Sequence, residues 1–302
     1  VIFKRISKGI RNPKVVIYYL LRTKIARGIS DETFLRIKYR LATGKKLDLK
    51  HPRTYTEKLQ WQKLYDRKAE YTQLVDKYRV RDYIGKTIGE EYLIPLLGVY
   101  KTYDEINFEV LPECFVLKPN HTSGEVYICR DKSAIDHTDL KKCIEVWLKT
   151  EYFWFHREWP YKNVKPLVLC EKYLTEGGMS PNDYKVMCFN GKAKLIQVHV
   201  DRFNQHLRFL YDTKWSRIDI KGNFCDADDS TCPKPVVLET MIALSEQLAK
   251  DLFQVRIDWY IFEERLYFGE ITFFDGAGFV IFQPEYFDEM LGSWIELPVG
   301  AQ

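Results

Sequence analysis

The sequence predicts an α+β protein with largely antiparallel sheets. Short apolar runs bounded by Pro, Asn and Gly recur after about residue 95, without strict strand–helix–strand alternation. Asn190-Gly191 sits between two such runs, and its tolerance of positive φ suits a type I′ hairpin. A second hairpin pattern, with clean alternation of side chains, lies near the C-terminus.

In chain order, residues 1 to about 50 read as two helical stretches broken near Gly28-Ile29-Ser30. Thr54-Tyr55-Thr56-Glu57 is a capping box, so a helix carrying Leu59, Trp61, Leu64 and Tyr65 should follow it. A further helix is expected from about Tyr71 to Ile84, ending at Gly85. Strands are expected at 96–100, 114–118, 126–129 and 167–174, with a helix over 137–148 between the third and fourth. The hairpin 184–189/192–200 comes next, then a strand at 207–211, a loop over 221–235 and a helix from Pro235 to Phe253.

With 302 residues the chain can bury a sizeable core, and its composition is that of a globular protein rich in aromatics. No apolar run approaches the roughly 18 residues that span a bilayer, and no signal-peptide pattern is visible. The chain opens on Val1, so the expectation is that it begins within a longer natural chain. Seven scattered cysteines (Cys114, Cys129, Cys143, Cys170, Cys188, Cys225, Cys232) lack CxxC spacing, which favours free thiols in a reducing, cytoplasmic compartment. The net charge of +4 is uneven. Residues 1–30 hold eight Lys/Arg and no Asp/Glu, leaving 38 basic against 42 acidic residues in the remainder. That excludes a basic nucleic-acid-binding face spread over the protein. It is compatible with a basic amphipathic arm making peripheral contact with the inner face of the plasma membrane, or with a helix docked on its own domain.

The runs Val255–Phe262 and Leu266–Phe273 flank Glu263-Glu264-Arg265. A three-residue loop places Asp258 opposite Glu270 and Arg256 opposite Thr272, with Ile257 facing Ile271 and Ile261 facing Tyr267 on the apolar side. A two-residue turn at Glu263-Glu264 would shift the pairing by one and mix polar with apolar positions, so the pattern favours the longer loop. Two carboxylates of this kind suit Mg²⁺ between protein and phosphate, and Arg256 could neutralise developing charge. A cross-strand salt bridge is the plainer alternative.

Upstream, Lys118 ends an apolar run and opens Pro119-Asn120-His121-Thr122-Ser123-Gly124. Its ammonium and the backbone N–H groups of Thr122, Ser123 and Gly124 can clamp a phosphate, although neither GxxxxGK[ST] nor GxGxxG is present. Lys185, beside Asp183 on the Asn190-Gly191 hairpin, is a second candidate cation. His199, Asp201, Arg202, His206 and Arg208 cluster around a strand end, where Arg can capture a carboxylate or phosphate. Asp226-Ala227-Asp228 is a DxD-like triplet in a Gly/Ser/Pro-rich loop.

Taken in this order, the residues resemble those of an ATP-grasp enzyme: Lys118 with the loop Thr122–Gly124, the hinge-like Glu171-Lys172-Tyr173-Leu174, Arg256-x-Asp258 and Glu270-x-Thr272. Asp76-Lys77 fits an early Asp-Lys of many members. The segments FVLKPNHTSG, REWPYKNVKP, DYKVMCFNGK, VHVDRF and VRIDWYIFEERLYFGEITFFDGAGF resemble the TupA-like branch, named for teichuronopeptide biosynthesis, over about residues 50–295. The departure is Thr272, where the general pattern has an Asn metal ligand.

The resemblance implies two α+β subdomains clasping ATP between antiparallel sheets, with an N-terminal helical arm. Its divisions would be an arm at 1–50, a helical/α+β region at 51–115, a lid subdomain at 116–190 and a metal-binding C-terminal subdomain at 191–302. It implies ATP and Mg²⁺ as cofactors. Lys118, Lys185 and Arg256 would be catalytic, and Lys118, Thr122, Ser123, Gly124, Glu171, Lys172, Leu174 and Lys185 would bind nucleotide. Asp258, Glu270 and Thr272 would bind metal, and His199, Arg202 and Arg208 would bind substrate. The implied reaction joins a carboxylate to an amine through an acyl phosphate, with an anionic sugar or glycan acceptor and an amine or amino acid as partners. His121, His199 or Asp201 is the candidate base. A glycosyltransferase using Asp226-Ala227-Asp228, or a catalytically silent nucleotide-binding protein, is the competing expectation.

Overall fold

In a computed structural model, the structure describes residues 13–175, 180–201, 206–218, 220–222 and 231–298. The chain divides into two compact units, one from Val1–Lys68, Glu151–Trp159 and Phe274–Gln302, the other from Ala69–Thr150 and Pro160–Phe273.

The first unit is helical. Helix Pro13–Leu20 leads to a 3-10 turn at Lys24–Gly28, then to helix Asp31–Thr43, so the break near Gly28-Ile29-Ser30 is observed. Ser30 Oγ caps the second helix by accepting from Thr33 N, and Gly44 ends it at φ +78°. Helix Tyr55–Tyr65 carries the full Thr54/Glu57 capping box. Leu21, Ala26, Phe34, Leu35, Tyr39, Leu47, Leu49 and Trp61 form its core, so the segment expected to be an arm is packed into the unit from Leu21 onward. Residues 1–12 lie outside the described residues. Buried polar groups cross-link the three chain segments of this unit. Lys63 Nζ donates to Gln60 Oε1, His156 O and Ala277 O at 3.1, 3.0 and 2.7 Å, three acceptors for its three protons. Lys38 donates to Phe155 O and to His156 Nδ1.

The second unit holds two antiparallel sheets. Strands β1 (Leu96–Tyr100), β2 (Phe115–Pro119), β3 (Tyr127–Cys129) and β4 (Val168–Lys172) form the first, in the order β1-β4-β2-β3. Phe115, Leu117, Val168 and Cys170 pack with Leu140, Ile144 and Trp147 of helix His137–Lys149. Period two therefore turns Val116, Lys118, Leu169 and Glu171 to the opposite face. The second sheet contains β5 (Asp183–Phe189), β6 (Lys192–Val200), β7 (Leu207–Asp212), β8 (Gln254–Phe262) and β9 (Arg265–Thr272), in the order β9-β8-β5-β6-β7. Met241, Ser245 and Leu248 of helix Leu238–Leu248 are buried, and Trp259 of β8 donates its indole N–H to Ser245 Oγ at 2.8 Å. Arg256, Asp258 and Tyr260 then share the other face of β8.

Three expectations need correction. The helix expected over 71–84 is two helices, Glu70–Val75 and Val80–Thr87. Asp76 separates them, because its carboxylate accepts from the backbone N–H groups of Tyr78 and Arg79 at 2.9 and 3.3 Å, a local alternative to continuing the helix. The boundary expected at residue 190 falls inside the Asn190-Gly191 hairpin, whose two strands belong to one sheet. The third correction concerns the C-terminal hairpin. Glu263 and Glu264 have φ of 50° and 58°, and Arg265 pairs with Phe262, so the turn has two residues and is of the I′ kind. The pairs at the site are nevertheless Glu270–Asp258, Ile271–Ile257 and Thr272–Arg256, as the longer loop would give. A bulge between Phe268 and Glu270 supplies the missing residue, and Gly269 is that residue. The expected Ile261–Tyr267 pair is instead Ile261–Leu266.

Candidate functional site

A cavity of about 460 Å³ opens within the second unit, lined by side chains of both sheets. The first sheet contributes Lys118 and Glu171, diagonal neighbours on adjacent strands because Val116 pairs with Glu171 and Lys118 with Leu169. Their ion pair is 2.6 Å long, and Arg81 Nη1 lies 3.6 Å from the other Glu171 oxygen. Glu171 is thus a buried carboxylate between two cations.

The second sheet contributes a tighter cluster. Lys185 pairs with Asp258 across β5 and β8, and its Nζ lies 2.6 Å from Asp258 Oδ2 and 2.6 Å from Asp183 Oδ2. Arg256 grips Asp258 with two nitrogens, Nε to Oδ1 at 2.7 Å and Nη2 to Oδ2 at 2.8 Å. The same Nη2 lies 3.4 Å from Glu270 Oε1 and 3.2 Å from Thr272 Oγ1. Lys77 approaches the other Glu270 oxygen at 3.4 Å. Burial acts to raise the Glu270 carboxyl and Asp258 adds to that, but Lys77, Arg256 and Lys185 outweigh both and hold it below the usual carboxylate range. Three carboxylates (Asp183, Asp258, Glu270) therefore face three cations (Lys77, Lys185, Arg256). Such a cluster can exchange partners when an anion and a cation enter together, the anion taking the cationic side chains and the cation the carboxylates.

Of the residues expected from the sequence, Lys118, Ser123, Gly124, Glu171, Lys172, Leu174, Lys185, His199, Arg256, Asp258 and Glu270 line this cavity. Thr122 is buried behind it, its hydroxyl without a hydrogen-bond partner and its carbonyl accepting from Lys77 Nζ at 2.5 Å. Thr272 does not line the cavity, and its hydroxyl lies 3.4 Å from Glu270 Oε1. Arg208 pairs with His199 across β6 and β7, outside the lining. His121 is a poor candidate base: it is buried, its ring nitrogens lie 3.2 Å from Asn120 Oδ1 and 3.1 Å from Thr150 O, and burial pushes the imidazole down. Arg202 and Asp226-Ala227-Asp228 lie outside the described residues.

Lys77 joins the lining but is absent from the cluster of candidate site residues. A continuous helix through Tyr71–Ile84 would have made it one more solvated helical lysine. The resemblance named the Asp76-Lys77 pair without a site role; Asp76 breaks the helix and also accepts from Asn120 Nδ2 at 2.8 Å. Lys77 N donates to Asn120 O at 3.1 Å, so the lysine is tied directly to the segment that follows Lys118.

Asp258 and Glu270 offer hard oxygen ligands on one sheet face beside concentrated positive charge, a donor set suited to Mg²⁺ shared with phosphate oxygens. Among the described residues no group of three or more His, Cys, Asp or Glu side chains is arranged to hold a metal by itself.

A sequence model of a family described as TupA-like ATPgrasp matches residues 57–296. No curated protein matches the chain. Among solved structures, it is similar to the D-alanine–D-alanine ligase of Bacillus anthracis complexed with ATP, at 18% identity over 66% of this chain and 55% of that one, with a TM-score of 0.39. It is also similar to the Helicobacter pylori D-alanine–D-alanine ligase, at 15% identity over 80% and 69% of the two chains and a TM-score of 0.41. The L-amino acid ligase of Bacillus licheniformis gives 9% identity over 68% and 42%, with a TM-score of 0.40. The chain spans little more than half the length of the Bacillus anthracis enzyme.

Proposed function

The chain belongs to the TupA-like ATP-grasp family, and from that premise we propose that it is an ATP-dependent carboxylate–amine ligase that forms an amide through an acyl phosphate. The observation that carries the reading is the convergence of Lys77, Lys118, Lys185, Arg256, Asp258 and Glu270 on one cavity. Four cationic side chains suit a triphosphate, and two carboxylates on one strand pair suit the Mg²⁺ that accompanies it.

In this reading Lys118 and Lys185 hold the phosphates, and Lys77 approaches them from the loop after helix Glu70–Val75. The hinge at Glu171–Leu174 faces the base with its backbone. Loop residues Ser123 and Gly124, with Gly124 at φ +96°, cover the phosphates and exclude water. Asp258 and Glu270 would hold Mg²⁺, which supplies charge neutralisation at the transferring phosphoryl group. The acceptor carboxylate attacks the terminal phosphorus, ADP departs, and an amine then displaces phosphate from the acyl carbon while losing a proton. Arg256 stabilises the negative charge that gathers on the phosphoryl and tetrahedral species.

The acceptor proposed is a uronic acid or related anionic sugar of a surface or capsular polysaccharide, joined to an amino acid or other amine. His199, on the cavity wall, and Arg202 and Arg208 would recognise it. The division of the fold into a lid and a metal-bearing subdomain is part of the same proposal, as is a location at the cytoplasmic side of the membrane.

The test is ADP release from ATP and Mg²⁺ with paired acids and amines, using acids labelled with heavy oxygen in the carboxylate. The reading expects ADP only when both substrates are present and heavy oxygen in the released phosphate. Heavy oxygen that leaves in AMP or in water, with none in the released phosphate, would refute the acyl phosphate.

A further inference from the structure

Six large apolar side chains stand exposed within ten positions of the first unit: Val16, Ile17, Tyr18, Tyr19, Leu20 and Ile25. Leu20 is 50% exposed and Ile25 80%, while the other nine exposed large hydrophobics of the described residues are scattered from Tyr65 to Tyr286. Val16 to Leu20 are each 40–50% exposed, and five consecutive positions run round the whole circumference of a helix, so no side of this stretch is fully covered, even where the Tyr18 ring lies 5.9 Å from Lys38 Nζ. It is fastened at its far end, where Leu21 and Ala26 enter the core. Apolar side chains clustered and half exposed in this way mark an interaction surface.

The charge around it selects the partner. Arg22 and Lys24 are exposed beside the apolar positions, and residues 1–30 contain no acidic side chain. The carboxylate that reaches Arg27 comes from Glu151, and the exposed Arg22 lies 5.8 Å from the Tyr18 and Phe155 rings, beside the apolar positions. A second copy of the chain would bring the same positive charge to the contact and be repelled. The upstream sequence continues the pattern: Ile2, Phe3, Ile6 and Ile10 recur at helical spacing, with Lys4, Arg5, Lys8 and Arg11 between them. Apolar side chains for the acyl boundary and cations for the headgroups are the two requirements of an interfacial anchor.

We propose that the segment Val16–Ile25, with Arg22 and Lys24, docks the protein on an anionic lipid bilayer. The inference deepens the membrane location proposed above but concerns the first unit alone, so it can fail without the ligase chemistry failing.

The test is co-sedimentation of the full chain with vesicles of phosphatidylcholine, with or without phosphatidylglycerol. The protein should sediment with the anionic vesicles and stay in solution with the neutral ones. Arg22→Glu and Lys24→Glu should each lower partitioning about fivefold or more, as expected for a cation near an anionic surface. Leu20→Asp with Ile25→Asp should abolish it; both sites are open, so an unchanged melting curve shows that the variant is folded. No sedimentation with anionic vesicles, equal sedimentation of wild type and variants, or a lipid-free dimer that Leu20→Asp dissolves would each overturn the proposal. ATP binding, followed on the same samples, tests the ligase reading separately.

Discussion

Glu270 is the cross-strand partner of Asp258 because Gly269 is an extra residue in the strand between two-residue turn and site. A Cβ at Gly269 would lie 3.1 Å from the Asp258 carbonyl oxygen and 3.2 Å from the Tyr260 ring, tighter than ordinary contact. Gly269→Val should therefore strain the bulge or shift the pairing, which would turn Glu270 away from Asp258. The expected outcome is a stability loss of ~1–3 kcal/mol and at least a tenfold fall in ADP release, with Gly269→Ala milder on both. Denaturant melts and turnover measured on the same preparations check this.

Arg256 holds Asp258 by two nitrogens and reaches Glu270 and Thr272 with one of them. Arg256→Lys keeps the charge but loses the fork. We expect kcat to fall about 10²–10³-fold, the scale of losing one charge-stabilising donor, with a much smaller change in the KM for ATP. A change in KM alone would make Arg256 a binding group only.

Lys77 bridges two parts of the site, donating to Thr122 O and approaching Glu270. Lys77→Met should raise the KM for ATP and leave the melting temperature within a few degrees of wild type. Steady-state kinetics with varied ATP would register it.

The first unit carries a pH dependence of its own. Burial, and then the charges of Lys38, Lys63 and Arg22, push His156 from 6.5 down to about 2. Between those values the unfolded chain takes up a proton that the folded chain refuses, so this contribution to stability is lost as pH falls below about 6.5. Melting temperature should drop between pH 7.5 and pH 5, and His156→Asn should drop less over the same interval. Equal slopes would show that His156 does not contribute.

The readable parts of the chain were those governed by local rules. The Thr54/Glu57 box and the Asn190-Gly191 turn state their geometry in a few residues, and alternation in β8 separates Arg256 and Asp258 from Ile257 and Trp259. The hairpin pattern pointed to the right partners for the wrong reason. Glu263 and Glu264 do not advertise a type I′ turn, because neither is a residue usually found at positive φ, and a bulge at Gly269 cannot be seen by counting alternation from one end. Asp76-Lys77 was legible only through the resemblance: the helical pattern of 71–84 runs unbroken through Asp76, and the contacts that bring Lys77 to Thr122 O and Glu270 are tertiary. The burial of Thr122 behind Ser123 and Gly124 depends on tertiary packing that no local pattern carries.

The central claim is that the cavity binds ATP with Mg²⁺ held by Asp258 and Glu270. Calorimetric titration of ATP into the protein, with and without Mg²⁺, tests it most directly when repeated on Asp258→Asn and Glu270→Gln. Binding to wild type should strengthen markedly with Mg²⁺, and that enhancement should vanish in both variants while they remain folded. ATP affinity indifferent to Mg²⁺ in the wild type, or an enhancement untouched by either substitution, would contradict the account.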